Sequence, residues 1–91
     1  MESKMAITNG QVSIGTVATA IDGVWTNPSR IIIHNNDNAT NVYLGNNNVT
    51  IANGLLLLKE QSYQIDLEPL EQIYAVSDKT GHVISWMRHT I

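Results

Sequence analysis

The stretch Ser29 to Thr50, SRIIIHNNDNATNVYLGNNNVT, decides how the rest of the chain is read. Ile31, Ile32 and Ile33 carry β-branched side chains, which are stiff at χ1 and suit a pleated surface. Turn residues bound them on both sides, Asn27-Pro28 before and Asn35-Asn36-Asp37-Asn38 after. Asn side chains bond to nearby backbone and tolerate left-handed conformations, so the Asn-rich segment reads as a loop. Asn41-Val42-Tyr43-Leu44, closed by Gly45, then reads as the partner strand of a hairpin, with the remaining strands laid beside it.

Upstream, Val12 and Ile14 share a face, and Val17, Thr19 and Ile21 continue with the opposite parity after Gly15, which suggests a bend there. Asp22-Gly23 reads as a turn, Val24-Trp25-Thr26 as a short extended piece, and Pro28 as the start of the central strand. Residues 1–10 read as an N-terminal arm bearing Met5 and Ile7, ahead of a single domain spanning residues 11–91. Downstream, Asn46-Asn47-Asn48 and Asn53-Gly54 are turn signals. Leu55 to Leu58 favours a helix by propensity, but Tyr63, Ile65 and Leu67 alternate with Gln64 and Asp66. Two strands turning at Lys59-Glu60-Gln61 are therefore expected, and Glu68-Pro69-Leu70-Glu71 adds one helical turn. Ile73 to Val76 is the next strand, and Ser77 to Gly81 a hairpin loop. The last strand, His82 to Met87, sets Val83, Ser85 and Met87 on one face and Ile84 and Trp86 on the other. About seven or eight short strands, with turn signals between them, form the pattern of an all-β sandwich or barrel.

Composition narrows the function. Ninety-one residues with 43% hydrophobic content fit one domain. With no Cys for disulfides or thiolate metal sites and no Phe for bulk, self-association or docking is the remaining source of added stability. The net charge is -3, and Lys4, Arg30, Lys59, Lys79 and Arg88 are scattered, so no basic stripe is available for nucleic acid. The start of the chain lacks the pattern of a signal peptide, and no apolar run approaches the roughly 20 residues that span a bilayer. A soluble chain made in a cytoplasm is expected, with neither nucleic acid nor membrane as partner.

Motifs for chemistry are absent from the sequence. It contains no G-x-S-x-G elbow and no phosphate-cradling G-x-x-x-x-G-K, and His34, His82 and His89 form no ligand pair. His34 to Asn38 lacks the alternating acids and terminal Glu of a calcium loop, and turn chemistry accounts for its Asn residues. Asp66, Glu68 and Glu71 flank a Pro turn and read as a solvated face. No catalytic residue, metal or cofactor is expected. Trp25 and Trp86 are the large aromatic anchors: Trp86 reads as core, and Trp25 equally as core or interface.

The run Asn41-Val42-Tyr43-Leu44-Gly45, then Val49-Thr50, Asn53-Gly54, Ser62 with Asp66-Leu67, Tyr74-Ala75 and Gly81, resembles small β-sandwich structural proteins of tailed bacteriophages. The similarity covers roughly residues 11–85. It departs from their usual pattern at the charged Lys59-Glu60 turn and at the extended end Trp86 to Ile91. The resemblance implies a single antiparallel β-sandwich, jelly-roll-like, and a head decoration, or cement, protein. Such a protein binds the major capsid protein on the outside of the assembled head and stabilises it. On this reading the chain resides at the virion surface as a homo-oligomer, with a trimer preferred over a dimer. Met5, Ile7 and Trp25 are the candidates for the capsid or intersubunit contact. Tyr43, Leu44, Gly45, Val49, Thr50, Gly54, Asp66, Tyr74, Ala75 and Gly81 are the residues that carry the family pattern. The alternative is a tail, connector or head-fibre module, in which Trp25 or Tyr43 stacks on a host glycan.

Overall fold

Alternation along Ser29–Asn35 sends Ser29, Ile31, Ile33 and Asn35 inward and Arg30, Ile32 and His34 outward, so this strand buries one face only. The computed structural model describes residues 7–36 and 40–91. It is all-β, with strands β1 (Ile7–Ile14), β2 (Thr19–Ala20), β3 (Ser29–Asn35), β4 (Val42–Gly45), β5 (Leu55–Leu57), β6 (Ser62–Leu67), β7 (Tyr74–Ser77) and β8 (His82–Thr90). They form two four-stranded sheets, ordered β1-β8-β3-β6 and β2-β7-β4-β5, and every pairing is antiparallel. The chain is thus an antiparallel β-sandwich.

The pairings nest around one turn. β4 pairs with β5, β3 with β6, β2 with β7 and β1 with β8, as in a single long hairpin. Rolling that hairpin adds the β3–β8 and β4–β7 pairings and splits it into two sheets, which is jelly-roll order. Ile14, Ile21, Ile31, Ile33, Val42, Leu44, Leu57, Leu67, Ile73, Ala75 and Ile84 fill the space between the sheets. Trp86 packs against that cluster, as the sequence suggests.

The hairpin expected between β3 and β4 does not form. Both edges of β3 are taken, by β6 from Ser29 to His34 and by β8 from Ser29 to Asn35, and β4 lies in the opposite sheet. The β5–β6 and β7–β8 connections likewise cross between sheets, so the Ser77 to Gly81 loop is not a hairpin loop. Gly81 nevertheless has the positive φ expected of it, 72°. The bend at Gly15 is the crossing from β1 to β2. Ile7 to Gly10, read as part of an arm, are paired with Trp86 to His89 inside β1. Met5 lies outside the described residues. Glu68 to Glu71 forms no helix: Leu70 takes a φ of 70°, and its N–H donates to the Trp25 carbonyl at 2.8 Å.

The tip of the long hairpin explains much of the family-like pattern. Val49 is buried between Gly45 and Gly54: a Cβ on Gly45 would meet its side chain at 2.8 Å, and one on Gly54 would meet it at 2.8 Å and the Tyr43 Cβ at 2.7 Å. Thr50 and Asn53 lock the turn. The Asn53 Oδ1 accepts from the Thr50 N–H at 2.8 Å, and the Thr50 carbonyl accepts from Gly54 at 2.9 Å. Leu44 and Ala75 face the core, Tyr43 and Tyr74 face outward, and Asp66 pairs with Arg30 on the outer surface. Gly54→Ala is expected to cost about 1–3 kcal/mol through overpacking, measured as a lowered urea midpoint with an unchanged slope. A change below about 0.5 kcal/mol would mean that the tip repacks freely.

Candidate functional site

Of the proposed contact residues, Trp25 is the one the fold builds into a site. Period-2 alternation along β8 sends Arg88 inward together with His82, Ile84 and Trp86. Its side chain is 1% exposed and fills the end of the sandwich beside Ser29. Arg88 Nε donates to the Ser29 Oγ at 2.8 Å, and Nη1 donates to the Gly23 carbonyl at 2.8 Å and reaches the Asp22 carboxylate at 3.4 Å. The guanidinium carbon lies 4.6 Å from the centre of the Trp25 ring, a cation–π contact. The Trp25 Nε1–H in turn donates to Asp22 at 3.0 Å. Burial pulls the Arg88 pKa down from its ordinary value, and the Asp22 charge opposes that shift. Nη2 is buried without a hydrogen-bond partner among the described residues, so the indole face is its compensation.

Next to this cluster, Thr8, Val24, Trp25, Thr26, Asn27 and Thr90 line a cleft of about 340 Å³. Ile7, one residue before Thr8, is 67% exposed and points to the opposite face of β1. Ile7 and Trp25 therefore share an end of the molecule but not a surface. The sequence contains the signal for Arg88, because extending the β8 alternation by one residue places a cation on the core face.

The opposite end of the sandwich is closed by a second buried polar group. His82 and Asn35 are both 0% exposed, and His82 Nε2 lies 2.7 Å from the Asn35 Oδ1. The other ring nitrogen, Nδ1, accepts from Thr40 at 2.8 Å and faces Ser77 at 3.0 Å. Elsewhere His34 meets Ser62 on the outer face, and His89 contacts the Thr90 carbonyl. The three histidines do not converge, and no group of three or more His, Cys, Asp or Glu able to hold a metal lies among the described residues. The acids are also separated: Glu71 accepts from the Glu68 N–H, while Asp66 forms a two-bond pair with Arg30. The hydrogen bond from Arg30 holds the Asp66 carboxyl below its usual range. The pair supports the fold above that range and is lost as pH falls through the lowered pKa, with salt screening its exposed charges.

A third feature is the β5 edge. Among the described residues β5 pairs with β4 alone, and Leu55, Leu56 and Leu58 are 51%, 47% and 44% exposed. Ile51, in the neighbouring tip loop, is 52% exposed. An apolar edge strand of this kind is a template for pairing unless something covers it. The alternation that overrides the helical propensity of Leu55 to Leu58 recognises a strand but does not identify it as an edge.

No protein-family model matches the chain, and no curated protein matches it. Among solved structures it is similar to one described as "Bacillus endospore appendages form a novel family of disulfide-linked pili". The identity is 6%, over 97% of this chain and 88% of that one, and the TM-score is 0.59. At so low an identity, what the two share is the β-sandwich fold.

Proposed function

We propose that this chain is a non-catalytic structural protein that assembles with copies of itself on a larger particle. In its specific form it is a decoration protein bound to the major capsid protein on the outside of a tailed-phage head. The observation that carries the reading is the β5 edge, where Leu55 and Leu56 stand exposed on a strand with one partner among the described residues and Leu58 is exposed just past its end. A surface of that kind is stabilised by burial against another subunit at roughly 25 cal/mol per Å² of apolar area, before the cost of association. A trimer or dimer covers it, and binding only to the assembled shell stabilises that shell by linkage. The pilus proteins that share the fold are described as disulfide-linked, whereas these 91 residues contain no Cys, so contacts between them form without disulfides.

Leu56→Lys tests the assembly. Leu56 faces outward opposite Tyr43, so a charge there leaves the core intact. Sedimentation is expected to show a wild-type oligomer at micromolar concentration and a folded monomer for the variant. A wild type that stays monomeric at high micromolar concentration would overturn the self-assembly reading. The specific form is tested by mass spectrometry of purified virions from the source phage. An abundance comparable to the shell protein supports decoration, a trace amount supports a tail or fibre position, and absence refutes the phage reading.

A further inference from the structure

Trp25 stands at a cleft whose lining, among the described residues, carries no charged side chain. Its ring is held from two directions, by the Nε1–H bond to Asp22 and by the Arg88 guanidinium over its face, and Ser29 and the Gly23 carbonyl fix Arg88 in turn. A half-buried indole fixed in this way has already lost its side-chain freedom, so a ligand that stacks on it bears little further ordering cost. The other residues that line the cleft are Thr8, Thr26, Thr90 and Asn27, which are polar and uncharged, with Val24 as the aliphatic member. The volume of about 340 Å³ lies at the lower end of the range for small-molecule sites.

That set of groups selects a ligand class. Among the described residues an anion finds no cation in the lining, because the Arg88 charge is buried against Asp22 and the indole. A purely apolar ligand would strip water from the exposed Thr8, Thr26 and Asn27 without replacing their hydrogen bonds, and each polar group left unpaired opposes binding. A neutral pyranose meets both demands: its C–H face stacks on the indole, and its hydroxyls exchange hydrogen bonds with neutral side chains. We propose that the Trp25 cleft binds a neutral saccharide, with one hexopyranose ring seated on the indole. Tyr43, the other aromatic considered for stacking, packs its Cβ against Gly54 beneath the hairpin tip. The site does not depend on the assembly reading. If the chain does assemble, repetition of a weak site gives the particle avidity for a glycan-bearing surface.

The test uses the full chain and saturation-transfer NMR with neutral methyl pyranosides: glucoside, galactoside, mannoside and N-acetylglucosaminide. Transfer to ring C–H protons, with a dissociation constant in the millimolar range, is the expected result. The decisive variant is Thr26→Ala/Asn27→Ala, because both side chains are exposed and their removal leaves the Arg88–Asp22–Trp25 cluster in place. It is expected to weaken binding at least about tenfold, or 1.4 kcal/mol, while the fold is unchanged by circular dichroism. Trp25→Ala is expected to abolish binding but also to loosen the cluster, so it is read beside the double variant. No transfer to any of the four glycosides, or equal affinity in the double variant, overturns the proposal. Binding of acidic sugars alone overturns the neutral class.

Discussion

Asn35→Ala is expected to cost about 3 kcal/mol or more of stability, because it removes the amide that closes the His82 end of the sandwich. Asn35 belongs to β3, yet its Nδ2 donates to carbonyls of the other sheet and its loops: Leu57 at 3.3 Å, Leu58 at 3.3 Å and Thr40 at 3.1 Å. Its Oδ1 meets His82 Nε2 at 2.7 Å. Because Nδ2 serves carbonyls, Oδ1 is an acceptor, which places the proton of His82 on Nε2 and leaves Nδ1 to accept from Thr40. One amide therefore ties the sheets together and sets the histidine tautomer. Alanine would leave buried carbonyls and a ring N–H without this partner. Asn35→Asp should cost at least as much, since a carboxylate has nothing to donate to three carbonyls. Urea unfolding of Asn35→Ala, His82→Ala and the double variant measures the tie. A coupling of at least about 1 kcal/mol is expected, and strict additivity would show that the two side chains act independently.

Arg88→Ala is expected to cost about 3–5 kcal/mol. The substitution removes a long buried side chain, leaves the Ser29 Oγ and the Gly23 carbonyl without their donor, and takes the cation from Asp22 and from the Trp25 ring. Arg88→Met separates volume from charge. Methionine fills much of the same space, and buried ionic groups are often replaced by apolar ones at small net cost. The methionine variant should therefore recover a substantial part of the loss while changing the Trp25 fluorescence. Arg88→Lys should recover less, because a lysine ammonium lacks the planar fork that reaches Ser29 and Gly23 together. Equal stability of the alanine variant and the wild type would mean that the buried cation is not a stabilising element, and that the indole is held by Asp22 alone.

The proposed saccharide site and the proposed assembly surface occupy different parts of one scaffold. The Trp25 cleft lies at the end of the sandwich where β8 finishes, whereas the leucines of β5 lie along a sheet edge. Blocking one with a substitution should leave the other intact, so the assembly and saccharide experiments do not confound each other.

The amino-acid sequence by itself determined the class of fold and the position of most strands. Alternation of side chains is a local property, and it is legible wherever apolar and polar residues trade places, as in Ser29–Asn35 and His82–Met87. Turn chemistry was legible too, at Gly81, at Asn53-Gly54 and at the bend after Ile14. Trp25 could be singled out because large aromatics are few. Strand pairing was decided only in the tertiary structure, because alternation states which face is buried and not which neighbour lies beside it. That is why β3 and β4, adjacent in sequence, stand in opposite sheets. The same limit hid the buried polar groups. His82 and Asn35 are 47 residues apart and Arg88 and Asp22 are 66 apart, so their pairing exists only after the long hairpin has rolled and brought its ends together. A charged or amide side chain on a core face reads as an error in the pattern until the partner that satisfies it is in place.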